Sequence, residues 1–358
     1  MTPADRVPFT IIGENIHATR SFARQGKNVV TVHGVEAVAF KDAVTGADRT
    51  CPICSPVATS AEFAKNKVKH IRNALLLGMG GDGALDAKLT GEVSEEAARA
   101  GRDYLIAAAI RQQRNGAHFL DVNVDEMSPD EGVRVRAMEW LVGLLEGAVG
   151  VPLSLDSSSL TVLEAGFRAS TRPKGPLMLN SASAERPEAL DLAAANGASV
   201  VLSAAGIGGL PSTVQGRMDN ANAIYAQALE RGIVPADCHV DMLVLPVGVD
   251  AESGNNFLGA VRQFRAEHGP EVRLTGGLSN VSFGLPNRKL VNDVFLALAI
   301  DAGVDSGIVD PNVVSPGRVS AMDRDAKPFR MAADVLTGVD MFAMEYLTAY
   351  RAGELGGD

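Results

Sequence analysis

A (β/α)8 TIM barrel is the fold class this sequence predicts, on three observations. Eight short apolar runs alternate with helical patterns. The chain's 358 residues suit one barrel-sized domain carrying an insertion. Four of the runs break off at a carboxamide or carboxylate: LSLDSS at Asp156, LMLNSAS at Asn180, HVDMLVLP at Asp241 and LTGGLSN at Asn280. Strands separated by helices pair in parallel through crossovers, and closing the sheet removes both edges. A barrel turns successive strand ends toward one mouth, so these polar residues are expected to meet around a single ligand. A doubly wound open sheet, the second reading, would scatter them over two edges.

The elements follow in order. FTIIGEN (9–15) is the first strand, and a segment from 17 to 90 then interrupts the alternation with polar residues, glycines and the tetrapeptide CPIC; it reads as an insertion near the barrel mouth. Ser94 opens a helix with Glu95 and Glu96 in its first turn, favourable at the positive end of the macrodipole, and Asn115-Gly116 ends it. AHFLDVNV is the second strand, and a helix begins at Asp130. VPLSLDS, PLMLNSA, ASVVLSAA, HVDMLVLP, VRLTGGLSN and VDSGIVDP are the remaining strands, with helices through TVLEAGFRA, PEALDLAAANG, NANAIYAQALERG, FLGAVRQFRAEHG and KLVNDVFLALAIDAG between them and a helical tail from 330 to 350.

Composition narrows the function. A net charge of −10 argues against nucleic-acid binding, and no run of about 20 apolar residues suits a bilayer. The start lacks a basic segment followed by an apolar run, and Cys51, Cys54 and Cys238 are too few for a disulfide framework, so a cytoplasmic enzyme is expected. Cys51 and Cys54 form a C-x-x-C with no second pair after it; His17, His33 and His70 could complete a zinc site only by folding back, and an ordinary turn with two buried thiols is the stronger reading. GMGGDG (78–83) matches a dinucleotide template by letter, but it follows a helix where a strand is needed, so a flexible lid or hinge is expected.

IIGENI, GAHFLDVNV, SLDSSSLTVLEAGF, LMLNSASAE, DMLVLP and GLSNVSFGLPNRKLVNDVFLALAIDAGVDSGIVDP occur in an order that resembles the pterin-binding methyltransferases: the methyltetrahydrofolate:corrinoid methyltransferases and the folate domain of cobalamin-dependent methionine synthase. The resemblance covers most of 9–16 and 94–311 and implies one pterin-binding TIM-barrel domain over 1–358. A pterin also suits the residue types on its own chemistry. Its pyrimidine half presents an N–H beside an exocyclic amino group, which a carboxylate accepts together, while an amide both donates and accepts at the ring nitrogens and oxo group.

The resemblance assigns Asp156, Asn180 and Asp241 to the pterin, with Asn123 beside them, and it makes Asn280 the amide that contacts N5. A departing amine nitrogen develops negative charge, which a hydrogen bond or proton at N5 stabilises. No strongly placed general acid is implied; the proton arrives through the network of Asn280, with Asp156 nearby. Glu14 stands where the family has an acidic residue followed by arginine, but Asn15 comes next, so that arginine is lacking. Asp121 and Asp310 read as loop anchors as readily as ligand contacts, and Arg288 reads as structural. The implied reaction moves a methyl group between N5 of tetrahydrofolate and the cobalt of a corrinoid (cobalamin) carried by a partner protein, in a homodimeric enzyme without nucleic-acid or membrane partners and without a metal of its own. A dihydropteroate synthase-like condensing enzyme is the alternative, although GLSNVSFGLPNR does not resemble the corresponding segment; a non-catalytic pterin-binding subunit is a third reading.

Overall fold

The computed structural model describes residues 8–356. Eight barrel strands are present: β1 (Thr10–His17), β2 (Phe119–Asn123), β3 (Leu153–Asp156), β4 (Met178–Ala182), β5 (Ser199–Ser203), β6 (Cys238–Asp241), β7 (Arg273–Thr275) and β8 (Ser306–Val309). They form one sheet in the order β7-β6-β5-β4-β3-β2-β1-β8. The two ends of that order meet: Ile308 N donates to Gly276 O at 3.0 Å, and Gly277 and Ile308 form a parallel bridge. This is the (β/α)8 topology the alternation predicted.

The chain divides into two compact units, Gly13–Asn180 and the remaining described residues, 8–12 with Ser181 onward. In the first, strand register aligns Asn123 with Asp156 and Asp156 with Asn180. In the second it aligns Ser203 with Asp241 and Asp241 with Thr275. Each predicted aspartate is thus the last residue of its strand, where the ladder ends and a carboxylate meets polar loop backbone rather than apolar core.

Helix starts follow the capping chemistry in the sequence. Ser94 accepts from Ala97 N ahead of α1 (Glu95–Arg114), and Asp130 from Gly132 N ahead of α2 (Glu131–Glu146). Ser159 caps α3 (Leu160–Ala169) in the same way. α4 (Ala189–Asn196) ends on Gly197 at φ 56°, a conformation that costs glycine no Cβ clash. α5 (Val214–Glu230), α6 (Ser253–His268) and α7 (Arg288–Ala302) complete the barrel set. The expected single tail helix is instead two, α8 (Lys327–Leu336) and α9 (Met344–Arg351); Gly338 at φ 76° and Phe342 at φ 62° break the helical path between them.

Between β1 and α1 the chain folds into regular elements that alternation alone did not reveal. Val29–Val32, Val35–Lys41 and Asp48–Pro52 form an antiparallel sheet, whose first hairpin turns on His33-Gly34 at φ 49° and 81°. Phe22–Ala23 pairs with Lys67–Val68. Cys51 and Cys54 are buried and free. Asn73 holds their turn together, accepting from Cys54 N at 2.8 Å and donating to Pro52 O at 2.9 Å. Burial pushes the Cys51 thiol up to about 12, so it stays protonated and inert. His70 stacks on Phe22 with ring centroids 3.9 Å apart and shares a 2.8 Å hydrogen bond with the Tyr104 hydroxyl.

The glycine run is not a lid or hinge. A helix from His70 to Gly81 runs through Gly78-Met79-Gly80-Gly81 and packs against α1. A Cβ at Gly78 would lie 2.5 Å from Trp140 Cη2, and one at Gly81 would lie 2.1 Å from Ala98 Cβ. The glycines are there because neighbouring side chains leave no volume for a methyl group. Gly81→Ala is therefore expected to cost about 1–3 kcal/mol by overpacking, since the Ala98 methyl has no rotamer to escape into. Urea denaturation followed by circular dichroism checks this; an unchanged midpoint would refute it.

Candidate functional site

In the first unit, β1, β2, β3 and β4 place a polar cluster at their carboxyl ends. Asn123 Nδ2 donates to Asp156 Oδ2 at 2.9 Å, and Asn123 Oδ1 accepts from Asp125 N at 2.9 Å, which fixes the amide orientation. Asn180 Nδ2 lies 3.3 Å from Asp121 Oδ1. Asp121, fully buried, also accepts from the Ser154 hydroxyl. His17 Nε2 lies 2.8 Å from Asp121 Oδ2 and 4.0 Å from Asp156 Oδ2.

Asp125 supports this cluster from behind, accepting from the Ser157 hydroxyl at 2.6 Å and from Ser158 N at 2.8 Å. The structure thus brings together three predicted residues, Asn123, Asp156 and Asn180, with Asp121, for which a loop anchor and a ligand contact were equally open. It adds His17, which the sequence reading considered only as a stray zinc ligand.

Charge in this cluster is held under tension. Burial foremost, and then the neighbouring Asp121 charge, push the Asp156 carboxyl up to about 7. Burial opposes a charge on His17, yet its hydrogen bond and charge pairing with Asp121 outweigh that, and its pKa is raised. A ring nitrogen of His17 and one carboxylate oxygen each of Asp121 and Asp156 lie within 4.8 Å of one another. Since His17 and Asp121 already meet at hydrogen-bond distance and Asn123 and Ser154 donate to the carboxylates, their arrangement is that of groups sharing protons.

Glu14 is half-buried on β1. Its missing arginine neighbour is supplied from farther along the chain: Arg20 Nη1 reaches Glu14 Oε1 at 3.4 Å, and Arg20 Nη2 donates to Asn15 Oδ1. The turn that returns the chain after β1, with Arg20 N donating to His17 O at 3.0 Å, is what swings the guanidinium back. No spacing rule in the sequence points to this pair.

In the second unit, Asp241 ends β6 and accepts from Leu243 N at 2.7 Å; Leu243 holds φ 64°, rare for a side chain of its size. Burial pushes the Asp241 carboxyl up to about 6, against the opposing effects of the Leu243 N–H and the Arg217 charge. Arg217 is itself fully buried and donates to Met242 O at 2.9 Å, bracing the backbone next to Asp241. Asn280 lies on a short 3-10 turn (Leu278–Ser282) after β7 rather than on the strand, because the strand stops at Gly276-Gly277.

Arg288 is structural, as expected, but its role is specific. It donates to Ser282 Oγ at 2.9 Å and to Ser279 O at 3.0 Å, and its guanidinium covers the Phe283 ring at 4.4 Å. It therefore clamps the turn that carries Asn280. Asp310 likewise anchors its own loop, accepting from Asn312 N at 2.9 Å. A Cβ at Gly277 would lie 2.9 Å from Asn280 Nδ2. Gly277→Ala is thus expected to displace the amide with thermal stability nearly kept, and, on the expectation from the sequence that Asn280 contacts N5, to reduce turnover by about tenfold or more; steady-state kinetics beside a melting curve test it.

Residues 91–310 match the family model described as pterin binding enzyme. The chain belongs to the pterin-binding enzymes. Over 254 residues it is 29% identical to the methylcorrinoid:tetrahydrofolate methyltransferase of Eubacterium limosum, covering 69% of this chain and 87% of that protein. It is 32% identical over 231 residues to the methionine synthase of Mycobacterium leprae (strain TN), covering 60% of this chain and 19% of that one, so it spans about a fifth of the methionine synthase length. Among solved structures, a dihydropteroate synthase of Coxiella burnetii in complex with pteroic acid has a TM-score of 0.49 at 14% identity, covering 66% of this chain and 86% of that chain. In this pterin-binding enzyme the strands β2, β3 and β6 end on Asn123, Asp156 and Asp241, an amide and two carboxylates.

Proposed function

We propose that this pterin-binding enzyme is a methyltransferase that moves a methyl group between N5 of tetrahydrofolate and the cobalt of a corrinoid held by a partner protein. One observation carries the reading: similarity to the methylcorrinoid:tetrahydrofolate methyltransferase extends over 87% of that protein. Asp156, Asn180 and Asp241, with Asn123 and Glu14 beside them, bind the pterin, and Asn280 donates a hydrogen bond to N5. The corrinoid is a substrate arriving on another chain and supplies the methyl-accepting or methyl-donating metal; this chain's residues bind and orient the folate and stabilise charge at N5.

The expected site chemistry follows from the environments described above. Asp241 accepts from the pterin edge in its ionised form, so folate affinity should weaken as pH falls through about 6. Asn280 donates best when its amide is held fixed, which Arg288 accomplishes through Ser279 and Ser282. The segment 17–90 is read as an insertion at the mouth of the barrel, and the enzyme as a cytoplasmic homodimer without nucleic-acid or membrane partners. Among the described residues, no helix is long and apolar enough to cross a membrane.

The experiment mixes purified protein with methyltetrahydrofolate and reduced cobalamin, and separately tetrahydrofolate with methylcobalamin, and follows the cobalt absorption spectrum. Methyl transfer in either direction supports the reading. No spectral change in both mixtures would defeat it.

A further inference from the structure

The cluster around His17 holds more acid–base capacity than pterin recognition alone requires. His17 Nε2 is within hydrogen-bond distance of Asp121 at 2.8 Å and near Asp156 at 4.0 Å, and its side chain is 16% exposed. Asp121 takes its other hydrogen bonds from neutral donors, the Ser154 hydroxyl and the Asn180 amide, so its ion-pair partner in the cluster is the imidazole. The charged groups around His17 come from every neighbouring element: Glu14 on its own strand, paired with Arg20 beyond it, Asp121 on β2 and Asp156 on β3, with Asp125 acting on Asp156 from the turn after β2.

An amide at position 17 could make the same hydrogen bond to Asp121. An imidazole adds a transferable proton, placed between two carboxylates of which one is fully buried and the other is assigned to the pterin. Two carboxylates and an imidazole in so small a space cannot all be deprotonated cheaply, so the cluster retains a proton near neutrality.

We propose that His17 is a positioning residue for methyl transfer, storing the proton that the departing pterin nitrogen takes up and passing it on through Asp156. This rests on the folate–corrinoid reading. The methyl carbon–N5 bond breaks as the carbon bonds to the corrinoid nucleophile, and the N5 electron pair takes the proton of the Asp156 carboxyl. Asp156 is then reprotonated from His17 Nε2, and the imidazole regains one proton from solvent. One proton is consumed for each methyl group leaving the folate, and the reverse transfer returns it by the same route. A proton held here agrees with both shifts: burial and the Asp121 charge raise Asp156, and at His17 the pairing with Asp121 outweighs the opposing effect of burial.

Wild-type protein, His17→Gln and Asp121→Asn, each full-length, are compared in two measurements. The first follows aspartate carboxyl carbons by NMR against pH in the free protein. Removing the positive neighbour in His17→Gln should raise the Asp156 midpoint by about half a unit or more, and removing the negative neighbour in Asp121→Asn should lower it by a similar amount. The second is the pH dependence of single-turnover methyl transfer to reduced cobalamin, whose alkaline limb should move in the same opposite directions while folate affinity stays within about threefold. Circular dichroism confirms that each variant folds, and either variant alone gives a sign that can contradict the idea.

A uniform loss of rate with a fixed limb would mark His17 as structural only and overturn the proposal. So would activity removed by a chelator and restored by a divalent cation, since the same three groups would then hold an ion. If wild-type protein transfers no methyl while the opposed NMR shifts are present, the methyl-transfer reading fails and the proton store stands; absent shifts sink the store whatever the activity.

Discussion

Replacing Asn280 by alanine is expected to lower the rate of methyl transfer by about 10²–10³-fold, the effect of removing one preorganised donor from developing charge. Folate affinity should change by less than about threefold, because the lost hydrogen bond strengthens only as the N5–methyl bond breaks and contributes little to the ground state. The separation of rate from binding is the decisive feature. Asn280 sits on a turn clamped by Arg288 rather than inside a ladder, so alanine there removes an amide without breaking strand pairing. Single-turnover rates and equilibrium titration with methyltetrahydrofolate provide the two numbers. A variant that keeps its rate would remove Asn280 from the chemistry and favour a pterin-binding subunit without turnover; one that loses rate and affinity equally would make it a binding residue only.

The second large effect is expected at Asp241. Asp241→Asn leaves an oxygen to accept from Leu243 N but exchanges the other acceptor oxygen for a donor, which then opposes the N–H groups of a pterin edge. Losing one half of a buried charged hydrogen-bond pair costs about 2–5 kcal/mol, so folate affinity should fall by at least about 30-fold. The effect on folding has the opposite sign. Burial raises the folded-state pKa of Asp241 from 3.8 to about 6, so its contribution to stability is greatest at low pH and is lost as pH rises through 6. Removing that charge should therefore raise stability at pH 8 by up to about 3 kcal/mol, with the gain shrinking toward zero below pH 4. Calorimetric binding at pH 8 and denaturant midpoints at pH 8 and pH 4 test both statements. A variant destabilised at pH 8 would show that Asp241 holds the fold rather than the ligand.

Asp241, like Asp156 in the other polar cluster, is a residue that stability alone does not favour. Asp156 and Asp241 both stand well above the ordinary carboxylate range, and Leu243 beside Asp241 is held in the left-handed region. Such costs persist where the surrounding structure imposes them and where a ligand recovers them, a pattern associated with functional sites. By contrast Arg288, Asp310 and Asn73 satisfy loop and turn backbone directly, and their work is complete without a ligand.

The sequence by itself determined the periodic part of this protein. Eight apolar runs separated by amphipathic helices impose parallel pairing, and caps such as Ser94, Asp130 and Ser159 mark helix starts because they satisfy orphan N–H groups locally. Asp156 and Asp241 were legible as strand ends for the same reason: a carboxylate ending an apolar run contradicts the burial pattern beside it. Tertiary structure alone decided the rest. The pairing of His17 with Asp121 links positions 104 residues apart, and Arg20 reaches Glu14 only because the chain turns back after β1. The glycines from 78 to 81 carry no local signature distinguishing a hinge from a close helix contact; only the positions of Trp140 and Ala98 settle that they continue a helix. Local hydrogen bonding and periodicity act over a few residues and are written in the sequence, whereas side-chain encounters between distant segments depend on where the folded backbone brings them.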